Sequence, residues 1–387
     1  MQRLQPCAVA GLILTAGLTM ISSMRASAAP EPNSYLAYFG TYTGKKSKGI
    51  YVARFDAKTG KFTPPELAAE TRNPSFLAVH PNHRWLYAAG EVDSFGRKPE
   101  GMVSAFRIDP QSGRLERINE QPSGGAGPCH VSVDRSGKCL LVANYGSGSV
   151  AVLPIEAEGT LGSGTSIQHH GSSINHQRQE GPHAHFIVPD PGNQFALACD
   201  LGLDKVLVYR LNPQQASLTP NTPPYASLKP GSGPRHLVFS PNGRFAYVIS
   251  EMASSVTTFS YDSRTGSLKE LETHSTLPPD FKGQNTCAEI QIHPSGKFVY
   301  GSNRGHDSIA VFRVNPKDGR LQRTESVSAG GKTPRHFAVD PSGKWLLAEN
   351  QDSDNVVVFA IDPITGHLTP TGETAEVGAP VCLVFVP

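Results

Sequence analysis

A unit of about fifty residues is written again and again along this chain, and that repeat limits what the chain can fold into. Residues 233–251 read as two alternating strands joined by a Pro241-Asn242-Gly243 turn, because turn residues separate two runs rich in Val, Ile, Phe and Tyr. Residues 333–350 are a near copy, opening on Thr333-Pro334-Arg335-His336 and turning at Pro341-Ser342-Gly343. Residues 127–138 carry the same signature around Gly127-Pro128-Cys129-His130.

Each full unit runs strand, Gly-containing turn, strand, polar loop, strand, and then a Thr/Ser-Gly-Xaa-Leu hairpin into a fourth strand. Units open at Pro74, Pro128, Pro182, Pro234, Thr286 and Pro334, which makes six. A seventh is divided between the two ends. Residues 379–385 form a lone first strand, whereas residues 35–40 and 50–55 are second and third strands with no first strand before them. Pairing the C-terminal strand with the N-terminal ones closes a ring and leaves no sheet edge open. The chain therefore reads as all-β, a seven-bladed β-propeller over residues 29–387 with a composite closing blade. A string of separate sandwich domains leaves the orphan ends unexplained. The 38 glycines and 32 prolines suit a protein of many turns.

Residues 1–28 stand apart. Arg3 leads an apolar run from Ala8 to Ile21 that ends in Ala26-Ser27-Ala28, the three-part pattern of a secretory signal peptide. The run is too short, and too mixed with Gly and Thr, for a membrane span. A periplasmic or secreted protein is expected. Without Arg3 and Arg25 the 35 basic residues fall to 33, against 33 acidic ones, so no footprint for nucleic acid or an acidic membrane surface remains. Cys129, Cys139, Cys199, Cys287 and Cys382 are odd in number and irregular in spacing, which reads as buried small side chains and not a disulfide framework.

In a propeller the start of each first strand and the end of each second strand meet on one face, so a ligand there faces two rings of side chains. Positions that repeat from unit to unit read as structural. His130, His236 and His336 share one position and read as packed strand histidines. The residue before them varies: Ser75, Cys129, His185 after a two-residue shift, Arg235, Ala288, Arg335 and Val381. The second-strand ends read Glu91, Tyr145, Leu201, Glu251, Arg304 and Gln351, and just inside them Asn144, Asp200, Asn303 and Asn350 read as loop-capping residues. Adjacent units three to five thus place His185, Arg235, Glu251 and Arg304 at one mouth. That set fits an anionic substrate; it also fits an ordinary salt bridge with a solvated rim charge.

The repeats, with Gln168-His169-His170-Gly171-Ser172-Ser173 and Arg178-Gln179-Glu180-Gly181-Pro182-His183-Ala184-His185, resemble the seven-bladed lactonase family, which includes propeller-type 6-phosphogluconolactonases and fungal carboxy-muconate cyclases. The resemblance covers the whole of residues 29–387. It implies a lactonase acting on a small sugar or sugar-acid lactone without a cofactor, and a site of one His, two Arg and one Glu. Those carry over to His185 (with His183 as rival), Arg235, Arg304 and Glu251. His183, Arg178 and Asn303 are the expected substrate contacts. In this reading Glu251 takes a proton from water, the arginines hold the substrate and its oxyanion, and His185 serves the leaving oxygen. Two alternatives stay open: a cyclase running the ring-closing direction, and a non-catalytic binding module. His183 and His185 also share a strand face and with His169, His170 or His176 offer metal ligands, but no recognised metal spacing is present. A closed ring needs no partner, so a monomer suffices.

Overall fold

The computed structural model describes residues 1–2, 34–96 and 99–387, and the signal-peptide reading falls on residues outside the described ones, apart from its first two. Seven sheets follow one another, six of them four-stranded in sequence order. Blade four shows the pattern: Pro234–Phe239, Phe245–Ser250, Ser255–Asp262 and Ser267–Ser275, paired antiparallel in that order. The closing blade is composite as expected. Strand Pro380–Val386 pairs with Ser34–Thr41 in the register Ala37↔Phe385 and Phe39↔Leu383, and Ser34–Thr41 pairs in turn with Gly49–Asp56.

Apolar side chains form seven clusters, and each is shared by two neighbouring blades, the closing blade packing on blade six and on blade one. All seven interfaces are filled, so no blade face is left uncovered, and the outermost strands remain as the sheet edges. All five described cysteines are free and buried, so they pack as apolar side chains.

The hairpin signature has a physical reason. Gly319 and Gly366 adopt φ of +74° and +77°, and a Cβ there would sit 2.4–2.5 Å from the ring of Phe245 or Phe298 on the preceding blade. Only glycine suits that backbone in that space. The carbonyls of the same two glycines accept hydrogen bonds from Tyr247 and Tyr300 hydroxyls at 2.9 and 3.1 Å, and Tyr38 to Gly113 and Tyr87 to Gly159 repeat the staple. In blades two, three and six the first turn is held by an aspartate, Asp134, Asp190 or Asp340. Asp340 Oδ1 accepts the amides of Lys344 and Trp345 at 2.9 and 2.8 Å, which explains the Asp-Xaa-Xaa-Gly signature.

Ring closure sets a testable cost. Leu383, 2 % exposed, joins the closing strand to blade six, so Leu383→Ala should lower stability by about 2–5 kcal/mol. Ile364, 77 % exposed on a hairpin tip, should tolerate Ala within about 0.5 kcal/mol. Thermal unfolding of both variants checks this; equal effects would mean the closing strand is not part of the cooperative unit.

Candidate active site

In every blade the first strand carries one residue more than the second strand opposite it. In blade four Pro234 pairs with Ser250 and His236 with Ile249, leaving Arg235 as the extra residue. In blade three Ala184 pairs with Asp200 and Phe186 with Cys199, leaving His185, so the two-residue shift inferred for that unit is what the register shows. A bulge breaks the two-residue alternation and re-aims one side chain. Ser75, Cys129, His185, Arg235, Ala288, Arg335 and Val381 are these residues, and they ring the channel.

The residues just after the bulges fill the channel. Phe76, His130, Phe186 and His236 lie ring to ring at 4.1–5.8 Å, and the Phe76–His236 contact spans blades one and four. His130, His236 and His336 are all buried, as their repetition implied. These rings meet across the channel between non-adjacent blades and form a floor, with the bulge ring lying directly above it.

Glu251, 6 % exposed, is the centre of the mouth. Its Oε1 lies 2.6 Å from Arg178 Nη2, and its Oε2 lies 2.8 Å from Arg304 Nη2 and 3.2 Å from Arg235 Nε. The Arg235 contact is an ion pair without hydrogen-bond alignment, since Nε has no hydrogen-bond partner. Burial pushes the Glu251 pKa up, but Arg304, Arg235 and Arg178 together outweigh it and hold it at about 2. Arg235 Nη1 donates to the Ala288 carbonyl at 2.7 Å and Arg304 Nη2 to the Cys287 carbonyl at 2.8 Å. Among the described residues, Arg235 Nη2 and Arg304 Nη1 have no partner, which leaves donors free for a ligand.

His185 is 5 % exposed, and its Nδ1 is buried without a hydrogen bond. Tyr145 and His236 meet its ring edge-on at 5.5 and 5.2 Å. Burial, with Arg235 and Arg335 nearby, holds its pKa well below the usual histidine value, so the ring is neutral at pH 7. His183 takes a different part. Its ring stacks on Tyr145 at 4.5 Å, its Nδ1 donates to the Tyr145 carbonyl at 3.0 Å, and its Nε2 lies 3.3 Å from the Glu180 carboxylate.

Arg178 reaches the mouth from the long loop of unit two. His169 secures that loop from below, with Nδ1 at 2.6 Å from Asp200 and Nε2 at 2.8 Å from the Tyr209 hydroxyl, while Gln179 donates to the Leu201 carbonyl. His169 is thereby turned away from His183 and His185, and no cluster of metal-holding spacing occurs among the described residues.

Asn303 is a correction. It is fully buried and donates Nδ2 to the Thr276 carbonyl at 3.3 Å, as Asn144 does to Ser123 and Asn350 to Ala329. Its carbonyl oxygen accepts from the Thr276 hydroxyl at 2.7 Å. It is a blade cap behind the mouth, not a substrate contact. Three side chains at the mouth have no role in the sequence reading: Arg335 and Tyr145, which it places in the two rings without a task, the latter binding Arg178 through its hydroxyl, and Tyr42, which it does not place. Tyr42 is the seventh member of the second-strand ring, since its amide bonds the Ala379 carbonyl as that of Glu251 bonds Gly233. A cleft of about 490 Å³ lined by Pro241, Phe245, Phe298 and Ile364 lies at the opposite face and holds none of these groups.

A closed mouth that gathers arginines, one carboxylate and a neutral histidine carries the donors that an anionic or carbonyl-bearing small molecule would need. The lactonase, seven-bladed β-propeller family model matches residues 36–385. The chain belongs to that family, whose members include lactone-hydrolysing enzymes. It is 39 % identical over 303 residues to the 6-phosphogluconolactonase of Bacillus subtilis, covering 78 % of this chain and 84 % of the relative. The 6-phosphogluconolactonase of Formosa agariphila is 34 % identical over 308 residues, 78 % of this chain and 85 % of the relative. Among solved structures, the periplasmic gluconolactonase of Pseudomonas aeruginosa is 38 % identical, with a TM-score of 0.85 over 92 % of this chain and 99 % of that one.

Beneath the site, His236 accepts from Arg235 Nη1 at 3.3 Å through Nε2, so its Nδ1 carries the proton and donates to Glu289 Oε2 at 2.9 Å. Burial, opposed by His336 and Arg235, raises the Glu289 pKa from 4.5 to about 7. A carboxyl raised in the folded state stabilises below its ordinary pKa and loses that contribution as pH rises through the folded value. Glu289→Gln should therefore remove a decline in stability between pH 4.5 and 7, so its melting temperature gains on the wild type as pH rises. Melting curves at pH 5 and pH 8 check this; a constant difference would contradict the raised pKa.

Proposed function

We propose that the protein is an exported lactonase that opens a sugar-acid lactone of the gluconolactone or 6-phosphogluconolactone type at the channel mouth. The observation that carries this is the pairing of Glu251, locked among three arginines, with the unpartnered neutral His185. The names of the relatives from Bacillus, Formosa and Pseudomonas support the substrate class. The Pseudomonas protein is named periplasmic, which agrees with the signal-like residues 1–28 and supports export.

Lactone hydrolysis needs a base for the attacking water, positive charge for the carbonyl oxygen and an acid for the leaving alkoxide. A carboxylate held near pKa 2 is a poor base at neutral pH. The His185 pKa is lowered as well, so partners decide: Glu251 is spent on Arg178, Arg235 and Arg304, which it fixes, whereas His185 is neutral with an unpartnered Nδ1, and we assign the base to His185. The uncommitted Arg235 and Arg304 donors meet the oxygen as the tetrahedral intermediate forms. His185, having taken a proton from water, returns it to the ring oxygen as the carbon–oxygen bond breaks, and the product is the open hydroxy acid. His183 steadies Tyr145, which in turn holds Arg178. The binding-module reading lacks its expected surface, since the exposed large apolar residues among those described are Met1, Ile174, Tyr225 and Ile364 and form no aromatic patch.

The assignment is tested by pH-stat assays of residues 29–387, corrected for spontaneous opening, on glucono-1,5-lactone and its 6-phosphate. His185→Gln should lower kcat by about 10²–10⁴-fold with little change in KM. Glu251→Gln should act chiefly on KM by loosening the arginines. The reverse split would return the base to Glu251, and a wild type at the spontaneous rate on both substrates would overturn the lactonase reading for them.

A further inference from the structure

One cation at the mouth touches none of the groups in this mechanism and acts on it only through its charge, which helps to keep His185 neutral. Arg335 occupies the bulge of blade six, two blades beyond Arg235, and the bulge residues on either side of it are apolar: Ala288, fully buried, and Val381, 3 % exposed. Neither offers a polar partner. Its guanidinium lies 5.4 Å over the Tyr42 ring and makes no salt bridge or hydrogen bond with any described residue. Glu91, the carboxylate on that side, accepts from the Tyr42 hydroxyl at 2.9 Å instead.

The contrast with Arg235 is informative, since the two sit at the same position of near-identical repeats. Arg235 is tied to Glu251, Ala288 and His236, whereas Arg335 rests on an aromatic face with its donors unspent. A partly buried guanidinium without a counter-ion is costly unless a ligand or solvent completes it. Nor is the charge suppressed: burial works against it, but Tyr42 and Glu91 outweigh burial and raise the pKa. The four arginines at the mouth exceed Glu251 and Glu91 by two charges, and Arg178, Arg235 and Arg304 already share Glu251. The excess therefore lies toward blade six, and the bulge of the intervening blade five holds Ala288, which carries no charge.

We propose that Arg335 is a specificity-determining residue, the core of a second subsite that takes an oxyanion substituent, carboxylate or phosphate, carried by the lactone away from its reacting carbonyl. Tyr42 holds the guanidinium flat from behind, and its planar donors meet two oxygens of the substituent. This rests on the lactonase reading for its substrate but not for its ligand chemistry. A protein acting on a neutral lactone alone has no use for the subsite.

The test compares wild type, Arg335→Gln and Arg335→Lys on glucono-1,5-lactone, its 6-phosphate and glucaro-1,4-lactone. Calorimetric binding of gluconate, 6-phosphogluconate and glucarate runs alongside, and melting temperatures confirm the fold. Arg335→Gln should raise KM for the favoured acidic lactone about 10–100-fold, with kcat and the neutral lactone changed less than about threefold, and Lys should restore part of the loss. Whether phosphate or carboxylate is the ligand is read from which acidic lactone responds. Equal losses on neutral and acidic lactones, or acidic lactones handled no better than the neutral one by the wild type, would overturn the proposal. If the wild type hydrolyses none of them, calorimetry still decides: 6-phosphogluconate or glucarate binding more tightly than gluconate, with the difference abolished in Arg335→Gln, upholds the subsite, and no difference in the wild type overturns it.

Discussion

Glu251 keeps a negative charge where water is almost excluded, and the three arginines around it make that possible. An isolated carboxylate at that depth would take up a proton. The dependence runs both ways, because Arg235 and Arg304 are themselves buried and both pKa values are lowered, chiefly by burial, with Arg304 also acting on Arg235 and Arg335 on both. Removing one partner of such a cluster leaves the others uncompensated and costs about 3–5 kcal/mol. The cluster is thus first an electrostatic anchor. It fixes donors supplied by blades four and five and by the unit-two loop, and in the proposed reaction charge developing on a substrate oxygen would meet groups already in place.

The scaffold supplies that precision by repetition. Seven bulges at one position turn seven side chains into one channel, while the residues behind them form a floor of aromatic and histidine rings. The floor is also chemically connected to the site. His236 links Arg235 to Glu289, and the Leu383 amide donates to His336 Nδ1, so the proton on the 2.5 Å contact between His336 and Glu349 belongs to Glu349, whose pKa burial raises well above its ordinary value. Neutral and charged carboxyls are therefore sorted by depth: paired with arginine at the mouth, protonated or shared with histidine below.

Much of this was legible in the sequence, and the exceptions have definite causes. The strand units, the composite blade and the Arg235–Glu251 pair follow from periodicity, because they lie inside continuous strand pairs whose register a turn determines. His185 was placed by noticing a two-residue shift, which the bulge register explains. Asn303 carries two readings in the sequence, a loop cap by its repeat and a substrate contact in the lactonase reading, and the repeated bond to the residue after the preceding blade's fourth strand favours the cap. Arg335 stands in the same variable ring as Arg235 and takes no role in the sequence reading, because the same residue in the same bulge is paired in one blade and unpaired in another, and that difference leaves no local trace. Tyr42 was hidden because its blade is assembled from both ends of the chain, and the place of Arg178 over Glu251 depends on how a long loop is tied down by His169.

The central claim is the division of labour between an ionised, anchored Glu251 and a neutral His185. Histidine-selective ¹³C labelling, with His185→Gln to assign the resonance, allows the His185 ring to be followed by NMR from pH 8 downward. The account predicts a neutral imidazole through pH 6.5 and titration only well below it. A His185 that is protonated at pH 7 would contradict the account, since the proton acceptor would then have to be found elsewhere in the mouth.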